Sequence, residues 1–209
     1  MVETIFIPAK TKWRPTKEKV IEISNTLPKK MAIAYSVQFQ DVARDIKNLL
    51  SKDHEIYGTI QVLGCSRPKF HKDVQAILII SSGKFHAVSL AFETKLPVYV
   101  LDRNELHEIS EKDLEIFGKD QKVRRLKYLN ANKVGVLVST KPGQQFMKNA
   151  LDFKKKIKNK KIYLFLENNI NIGEFENFDI DSWVNTACPR LDMNDSFIMN
   201  LHDLIDKDR

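Results

Sequence analysis

Ala76-Ile77-Leu78-Ile79-Ile80 is an unbroken apolar run with no polar residue on either of its alternating faces. A strand of that kind has to be covered on both sides, which happens in parallel sheets flanked by helices and rarely in antiparallel sheets with one wet face. The run ends at Ser81-Ser82-Gly83, and residues 85–93 then follow with a helical pattern. Such a chain is therefore expected to alternate strands with crossover helices.

The residues on either side agree. Before the run, residues 4–8, 32–36 and 56–63 are β-rich, and residues 15–23 and 38–50 have helical spacing. Val42, Ile46, Leu49 and Leu50 share one face of the second helix. After the run, residues 97–101 form another short buried strand. Residues 105–132 are charged and predict a helical connection. Strands at 134–138, 162–166 and 183–186 follow, with a helix at 144–157 that puts Phe146, Ala150 and Phe153 in phase, and a closing helix at 197–205. The fold class expected is α/β: two tandem domains with mainly parallel sheets, 1–104 carrying Cys65 and 133–209 carrying Cys188, joined by 105–132. Each half has one cysteine at a strand end, a weak internal repeat.

Composition excludes several classes. With 43% hydrophobic and 29% charged residues, and only 7 glycines and 7 prolines in 209, the chain is neither disordered nor fibrous. No apolar run approaches the roughly 18 residues that cross a bilayer, and the first fifteen residues lack the apolar core of a signal peptide. A cytoplasmic protein with no membrane partner is the expectation. A net charge of +7 brings RNA or a ribosome-associated partner into consideration. The densest cationic run, Lys154 to Lys156 with Lys158, Lys160 and Lys161, falls at a helix end, where cations meet free carbonyls. A solvated helix end and a nucleic-acid site are both readings of it.

The chemistry concentrates at strand ends. Gln61-Val62-Leu63-Gly64-Cys65 and Val184-Asn185-Thr186-Ala187-Cys188-Pro189-Arg190-Leu191 each carry an apolar run into a cysteine, and these are the only two cysteines. Pro189 stops the second run from continuing as a strand. In open α/β sheets the carboxyl edge, where loops splay apart, is where ligands bind. Two cysteines in a cytoplasmic chain argue against a structural disulfide. They are inert core thiols or ligands, and Arg190 beside Cys188 favours the thiolate that binds metal. Two thiolates alone under-fill a zinc or iron–sulfur site.

Ser139-Thr140-Lys141-Pro142-Gly143-Gln144 offers a hydroxyl, an ammonium and backbone N–H groups to an anion at a helix start, and lacks the glycine and lysine order of a Walker loop. An N-cap cluster without a ligand fits the same spacing. Gly83-Lys84-Phe85-His86 has a similar layout; His86 is a general base, a donor to a carboxylate, or a capping and packing residue. Arg124-Arg125 and Asp192 to Asp195 read as surface charge. No Ser-His-Asp arrangement or paired carboxylate site is defensible.

Taken together, these stretches resemble the diphthamide synthase family, which includes the diphthamide biosynthesis proteins one and two and their archaeal homodimeric counterpart. The residues that carry the resemblance are Ile7-Pro8-Ala9-Lys10, Gln38, Gln61 to Cys65, Gly83 with Phe85-His86, Pro97-Val98, Asp102, Arg124-Arg125, Ser139-Thr140-Lys141 with Gly143-Gln144, and Asn185 to Arg190. They run in family order over nearly the whole chain, and the ending around Cys188 is the most specific.

The resemblance implies an enzyme that uses S-adenosylmethionine and a 4Fe-4S cluster. The cofactor would be cleaved on its amino-acid side, and a 3-amino-3-carboxypropyl radical added to a histidine of translation elongation factor 2. It also implies three related α/β domains, each giving one cysteine to a central cluster, with Cys65 and Cys188 as the second-domain and third-domain ligands. Gln144, Lys141, Arg190 and His86 become candidates for holding the methionine carboxylate or shaping the pocket, consistent with the bidentate grip a guanidinium can offer.

Two departures accompany the resemblance. The family's first domain, with its own cysteine motif, has no counterpart in these 209 residues, and Asn194 stands where the family more often has a carboxylate. The third ligand is then expected from a homo- or hetero-oligomeric partner carrying that domain, or from a non-cysteine group. The competing reading is a non-catalytic relative that binds the translation apparatus or the active synthase. An unrelated anion-binding protein built on the Lys141 to Gly143 turn is a third.

Overall fold

The computed structural model describes residues 5, 7, 9–63, 66–189, 191 and 197–205. The chain divides into two compact units, Met1–Phe117 and Gly118–Arg209. The fold is α/β with two mainly parallel sheets.

In the first unit, α1 (Lys17–Thr26) leads into β1 (Lys30–Tyr35), a 3-10 turn at Val37–Phe39 and α2 (Gln40–Leu50). Then come β2 (Glu55–Gln61), β3 (Ala76–Ile80), α3 (Phe85–Thr94), β4 (Val98–Asp102) and β5 (Glu105–Glu108). The sheet order is β2-β1-β3-β4-β5; the first four strands are parallel and β5 is antiparallel. All five residues of β3 are buried, as the unbroken apolar run requires. Leu78 and Ile80 pack with Val20, Ile23, Val42, Ile46 and Leu50 of α1 and α2. Ile77 and Ile79 pack on the other face with Ala87, Leu90 and Ala91 of α3.

Thr16 starts α1 by accepting a hydrogen bond from the Lys19 N–H, and α3 ends at Lys95 in the left-handed region. A buried histidine ties α1 to the chain before β2. His54 Nε2 lies 2.8 Å from Ser24 Oγ and Nδ1 lies 2.9 Å from Pro28 O, so Nδ1 donates to the carbonyl and Nε2 accepts from the hydroxyl.

The second unit contains β6 (Lys133–Ser139), α5 (Met147–Lys156), β7 (Lys161–Glu167), β8 (Ser182–Asn185), β9 (Ile198–Asn200) and α6 (Leu201–Ile205). Its sheet order is β7-β6-β8-β9, all parallel. Val134, Val136, Val138, Val184 and Met199 form one face with Tyr128, Ala150, Phe153, Leu201 and Leu204. The other face, Leu137, Trp183 and Ile198, is covered by Phe165, Ile170, Ile172, Phe175 and Ile180, around a 3-10 segment at Ile172–Asn177 instead of a helix.

The units share a strand plan: the first strand is central, the second flanks it on one side, and the third and fourth lie in order on the other. The repeat expected from the cysteines is different, because they do not follow equivalent strands. Cys188 comes after the third strand of its unit, whereas Cys65 comes four positions after the second strand of the other.

Several elements differ from expectation, and most of the strand expected at 4–8 lies outside the described residues. Glu105–Glu108 is a strand, because the Arg103-Asn104 turn, with Arg103 at φ 54°, folds it back on β4 as a charged antiparallel edge. The helix over 105–132 shortens to α4 (Glu111–Asn130), started by Ser110 and Asp113, whose side chains bond each other's backbone N–H groups. Residues 198–200 form a fully buried strand before α6, so the closing element is not one helix; a short apolar run beside a helix leaves the two periods indistinguishable.

Arg124 is also not surface charge: α4 buries Gln121, Arg124 and Tyr128 on one side, which removes any apolar stripe from the sequence. The lysine run divides its work. Lys154 to Lys156 close α5, and Lys160 Nζ donates to Leu129 O and Ala131 O at the end of α4, at 2.8 and 2.6 Å.

Candidate functional site

The carboxyl edge of the second sheet brings together the ends of β6, β7 and β8, and a cleft of about 360 Å³ opens there. Ser139, Lys141, Gln144, Asn168, Asn169, Ile170, Cys188 and Leu191 line it. Three of the six candidate site residues, Lys141, Gln144 and Cys188, therefore share one cavity. Cys65 and Arg190 lie outside the described residues. His86 belongs to the first unit.

Cys188 sits three residues beyond β8 and is half-buried. Its loop is held from below. Thr186 donates through both N–H and Oγ1 to Leu137 O, at 3.1 and 2.7 Å, which anchors the loop to β6. Asn185 Oδ1 accepts from the Ala187 N–H at 2.8 Å, while its Nδ2 donates to Cys188 O at 2.8 Å. Leu191 N also donates to Cys188 O, closing a turn at 3.1 Å. Strand pairing stops at Asn185, and Pro189, which has no N–H to give, lies beyond it in the loop.

Lys141 and Gln144 are placed by a tight turn and not by a helix start. Gln144 N donates to Lys141 O at 3.0 Å, with Pro142 at the second position and Gly143 at φ 78° at the third. This is the type II turn that proline and glycine in those places favour. The helix begins only at Met147. The expected anion site of helix N–H groups is thus corrected: Thr140 N donates to Glu167 O, Lys141 N to Ser139 Oγ and Gln144 N to Lys141 O. What remains for an anion is side-chain chemistry, the Lys141 ammonium and the Gln144 amide, with a carboxamide wall from Asn168 and Asn169.

The first sheet has a comparable carboxyl edge. Ser82, Asp102, Arg103, Asn104 and Glu105 line a cavity of about 500 Å³ there. Gly83, at φ 75°, donates its N–H to Asp102 Oδ2 at 3.1 Å. His86 is the second residue of α3 and its ring packs edge-on to Phe85, 5.1 Å between centroids. Lys84 Nζ reaches Asp113 Oδ2 at 3.4 Å, and hydrogen bonds from Ser110 followed by the Lys84 charge hold the Asp113 carboxyl below its ordinary range.

Sequence reasoning missed four residues. Asn168 and Asn169 enter the cleft from the loop after β7 without any motif to mark them. Asn200, at the end of β9, bonds Asn185 and is 4% exposed. Ser36, at the carboxyl end of the central strand β1, is 8% exposed, and its Oγ has no hydrogen-bond partner among the described residues. A correct placement of β9 would have drawn attention to Asn200; Ser36 closes the strand expected at 32–36, but nothing in the sequence marks its hydroxyl as unpartnered.

The donor set can be tested against an iron–sulfur cluster. Among the described residues no group of three or more His, Cys, Asp or Glu side chains converges as a metal site, and Cys188 is the one described thiol. These residues fit one corner of a shared cluster site and do not form a complete one.

Known proteins resemble this chain in sequence and in fold. Residues 1–197 match the family model described as "Putative diphthamide synthesis protein". The 2-(3-amino-3-carboxypropyl)histidine synthase of Pyrococcus horikoshii is 30% identical, over 93% of this chain and 60% of that protein. The 2-(3-amino-3-carboxypropyl)histidine synthase subunit 1 of Debaryomyces hansenii is 24% identical, over 81% of this chain and 44% of the relative. The crystal structure of Dph2 from Pyrococcus horikoshii with 4Fe-4S cluster superposes with a TM-score of 0.79 at 25% identity, covering 95% of this chain and 64% of that one. The chain thus spans less than two thirds of the length of each of these relatives. With the match running through both sheets and the Cys188 loop, the chain belongs to the family of diphthamide synthesis proteins.

Proposed function

We propose that this chain acts in diphthamide biosynthesis, in the transfer of the 3-amino-3-carboxypropyl group of S-adenosylmethionine to a histidine of translation elongation factor 2. The observation that carries the proposal is the meeting of Cys188, Lys141 and Gln144 in one cleft at a parallel-sheet carboxyl edge, in a chain of this family. Relatives named for this histidine synthesis, and a Dph2 structure containing a 4Fe-4S cluster, support it. In this reading Cys188 and Cys65 are cluster ligands, and the remaining ligand comes from outside these 209 residues, on an oligomeric partner of the same family. The name "subunit 1" carried by the Debaryomyces hansenii relative is in keeping with such an assembly.

When bound, the cluster supplies one-electron chemistry on S-adenosylmethionine. The chain's own residues bind and orient. The Lys141 ammonium gives the methionine carboxylate a point charge, Gln144 adds a neutral donor, and Arg190 is proposed to complete the grip. The carboxamides of Asn168 and Asn169 can bond the α-amino group as acceptors. Holding both ends of the amino-acid moiety fixes which side of the sulfonium faces the cluster, and that orientation is the protein's share of selectivity.

The test is mass analysis of elongation factor 2 incubated anaerobically with S-adenosylmethionine, a reductant and the assembled complex. Addition of one 3-amino-3-carboxypropyl group to a single histidine peptide is expected with the native chain, with loss for Cys188→Ala and a large reduction for Lys141→Ala. Full modification by the Cys188→Ala complex would refute the ligand role.

A second reading has its own support. The net charge of +7 also suits a non-catalytic relative that docks on a translation component or on the active synthase. It predicts a colourless protein after anaerobic reconstitution that still co-purifies with elongation factor 2 or with the synthase.

A further inference from the structure

We propose that Asn185 and Asn200 are positioning residues for the Cys188 thiol, a paired-amide clamp that sets where its sulfur points into the cleft; this rests on the reading of Cys188 as a ligand. The two side chains are buried at 2% and 4% exposure, deep enough that their hydrogen bonds face little competition from water. Asn185 Nδ2 donates to Asn200 Oδ1 at 2.8 Å and also to Cys188 O at 2.8 Å. Asn185 Oδ1 accepts from the Ala187 N–H at 2.8 Å, and Asn200 Nδ2 donates to Pro189 O at 3.3 Å.

The orientation of Asn185 is dictated by its partners. Turning its amide over would set an NH₂ against the Ala187 N–H and an oxygen against the Cys188 carbonyl, two repulsive contacts in place of two bonds. The backbone is thereby gripped before Cys188, at Cys188 and after it. With the peptide units on both sides fixed, the thiol keeps only its χ1 torsion, and three staggered positions replace a continuous range. Ligation of a rigid cluster needs that restriction, since a ligand held loosely by even 1 Å is a weak one.

The first unit shows that a stable loop does not require this device. There the fourth strand also ends in a polar residue, Asp102, which grips the loop after the third strand by accepting from the Gly83 N–H. A carboxylate makes that single contact with an N–H and cannot donate to a carbonyl. Asn200 stands at the end of the fourth strand of the second unit, and as an amide it both accepts from Asn185 and donates to Pro189 O. The two-sided grip is made on the loop that carries Cys188.

The test uses the full chain with Cys65→Ala, so that Cys188 is the single thiol, and measures its alkylation by iodoacetamide under native conditions. Asn185→Asp keeps the size and the bond from Ala187 N–H but loses both donations; Asn200→Ala removes the second half of the clamp. Cys188 is expected to alkylate roughly fivefold faster or more in each, the scale expected for losing one to two buried hydrogen bonds. Circular dichroism and the urea midpoint identify folded variants, and rates are compared only within the native baseline. Asn200→Ser replaces Asn200→Ala if the latter does not fold. A lowered midpoint with an unchanged native alkylation rate would make the pair merely structural and overturn the proposal. The separate iron content of Cys188→Ala tells the two readings apart: retained iron refutes ligation, while the alkylation rates still decide the clamp.

Discussion

Gly135 of β6 lies directly against the indole of Trp183 on β8, its register partner: a Cβ at position 135 would meet Cε3 and Cζ3 of the ring at 2.4 Å. The indole also stacks on Phe175 with centroids 4.1 Å apart and meets Phe165 edge-on at 4.7 Å. Backbone and ring fill the same layer, so the sheet carries its largest side chain over its smallest. Gly135→Ala should therefore cost about 1–3 kcal/mol through overpacking. Urea unfolding followed by circular dichroism checks this; a midpoint equal to the native chain's would mean that the ring moves aside freely.

His54 makes a second, independent prediction. Its two ring nitrogens serve the Ser24 hydroxyl and the Pro28 carbonyl in a site only 7% exposed. His54→Leu fills the volume but strands both partners, and the loss should be about 1–3 kcal/mol. His54→Ala with Ser24→Ala, measured as a double-mutant cycle, separates the hydroxyl bond from packing.

Acid stability offers a third. Asp181 accepts from the N–H groups of Lys133 and Asn132, both at 2.8 Å, and these bonds hold its carboxyl below the ordinary value of 3.8. A depressed value means that the unfolded chain takes up the proton first as pH falls. The contribution is complete above the unfolded range near pH 4 and is lost as pH drops through the folded value. Asp181→Asn should flatten the acid limb of the stability curve below about pH 4 and leave pH 7 to 8 nearly parallel to the native chain. An unchanged acid limb would show that the two N–H bonds do not discriminate between protonation states.

The cleft makes a fourth prediction through Gly143. At φ 78° it occupies the left-handed position of the turn that presents Lys141 and Gln144. Gly143→Ala adds strain of about 1 kcal/mol there and displaces both side chains. Binding of S-adenosylmethionine to the assembled complex, read by isothermal calorimetry, should weaken while the urea midpoint falls only slightly. Unaltered affinity would remove the turn from the site.

Much of this was legible in the residues, and for definable reasons. Ala76–Ile80 announced a strand buried on both faces because nothing in it alternates, and the Pro142-Gly143 pair marked a turn by its own dihedral preferences. The Cys188 loop was legible as a strand end because Pro189 forbids continuation. Glu105–Glu108 hid because a charged edge strand has no apolar face to show, and α4 hid its contacts because it buries Gln121 and Arg124. Ile198–Asn200 could not be told from the helix that follows it. Asn200 was invisible as a site residue for that reason: its role depends on a strand register that pairs it with Asn185.

The most direct measurement is iron content and EPR after anaerobic iron–sulfur reconstitution of the complex assembled with this chain, compared with Cys188→Ala and Cys65→Ala. Broad absorption at about 400 nm and a reduced-cluster signal perturbed by S-adenosylmethionine are expected in the native complex, with iron lost in each variant. Equal iron and an unchanged signal in both variants would contradict cluster ligation by these cysteines, and would leave Cys188 an inert thiol beside an unrelated cleft.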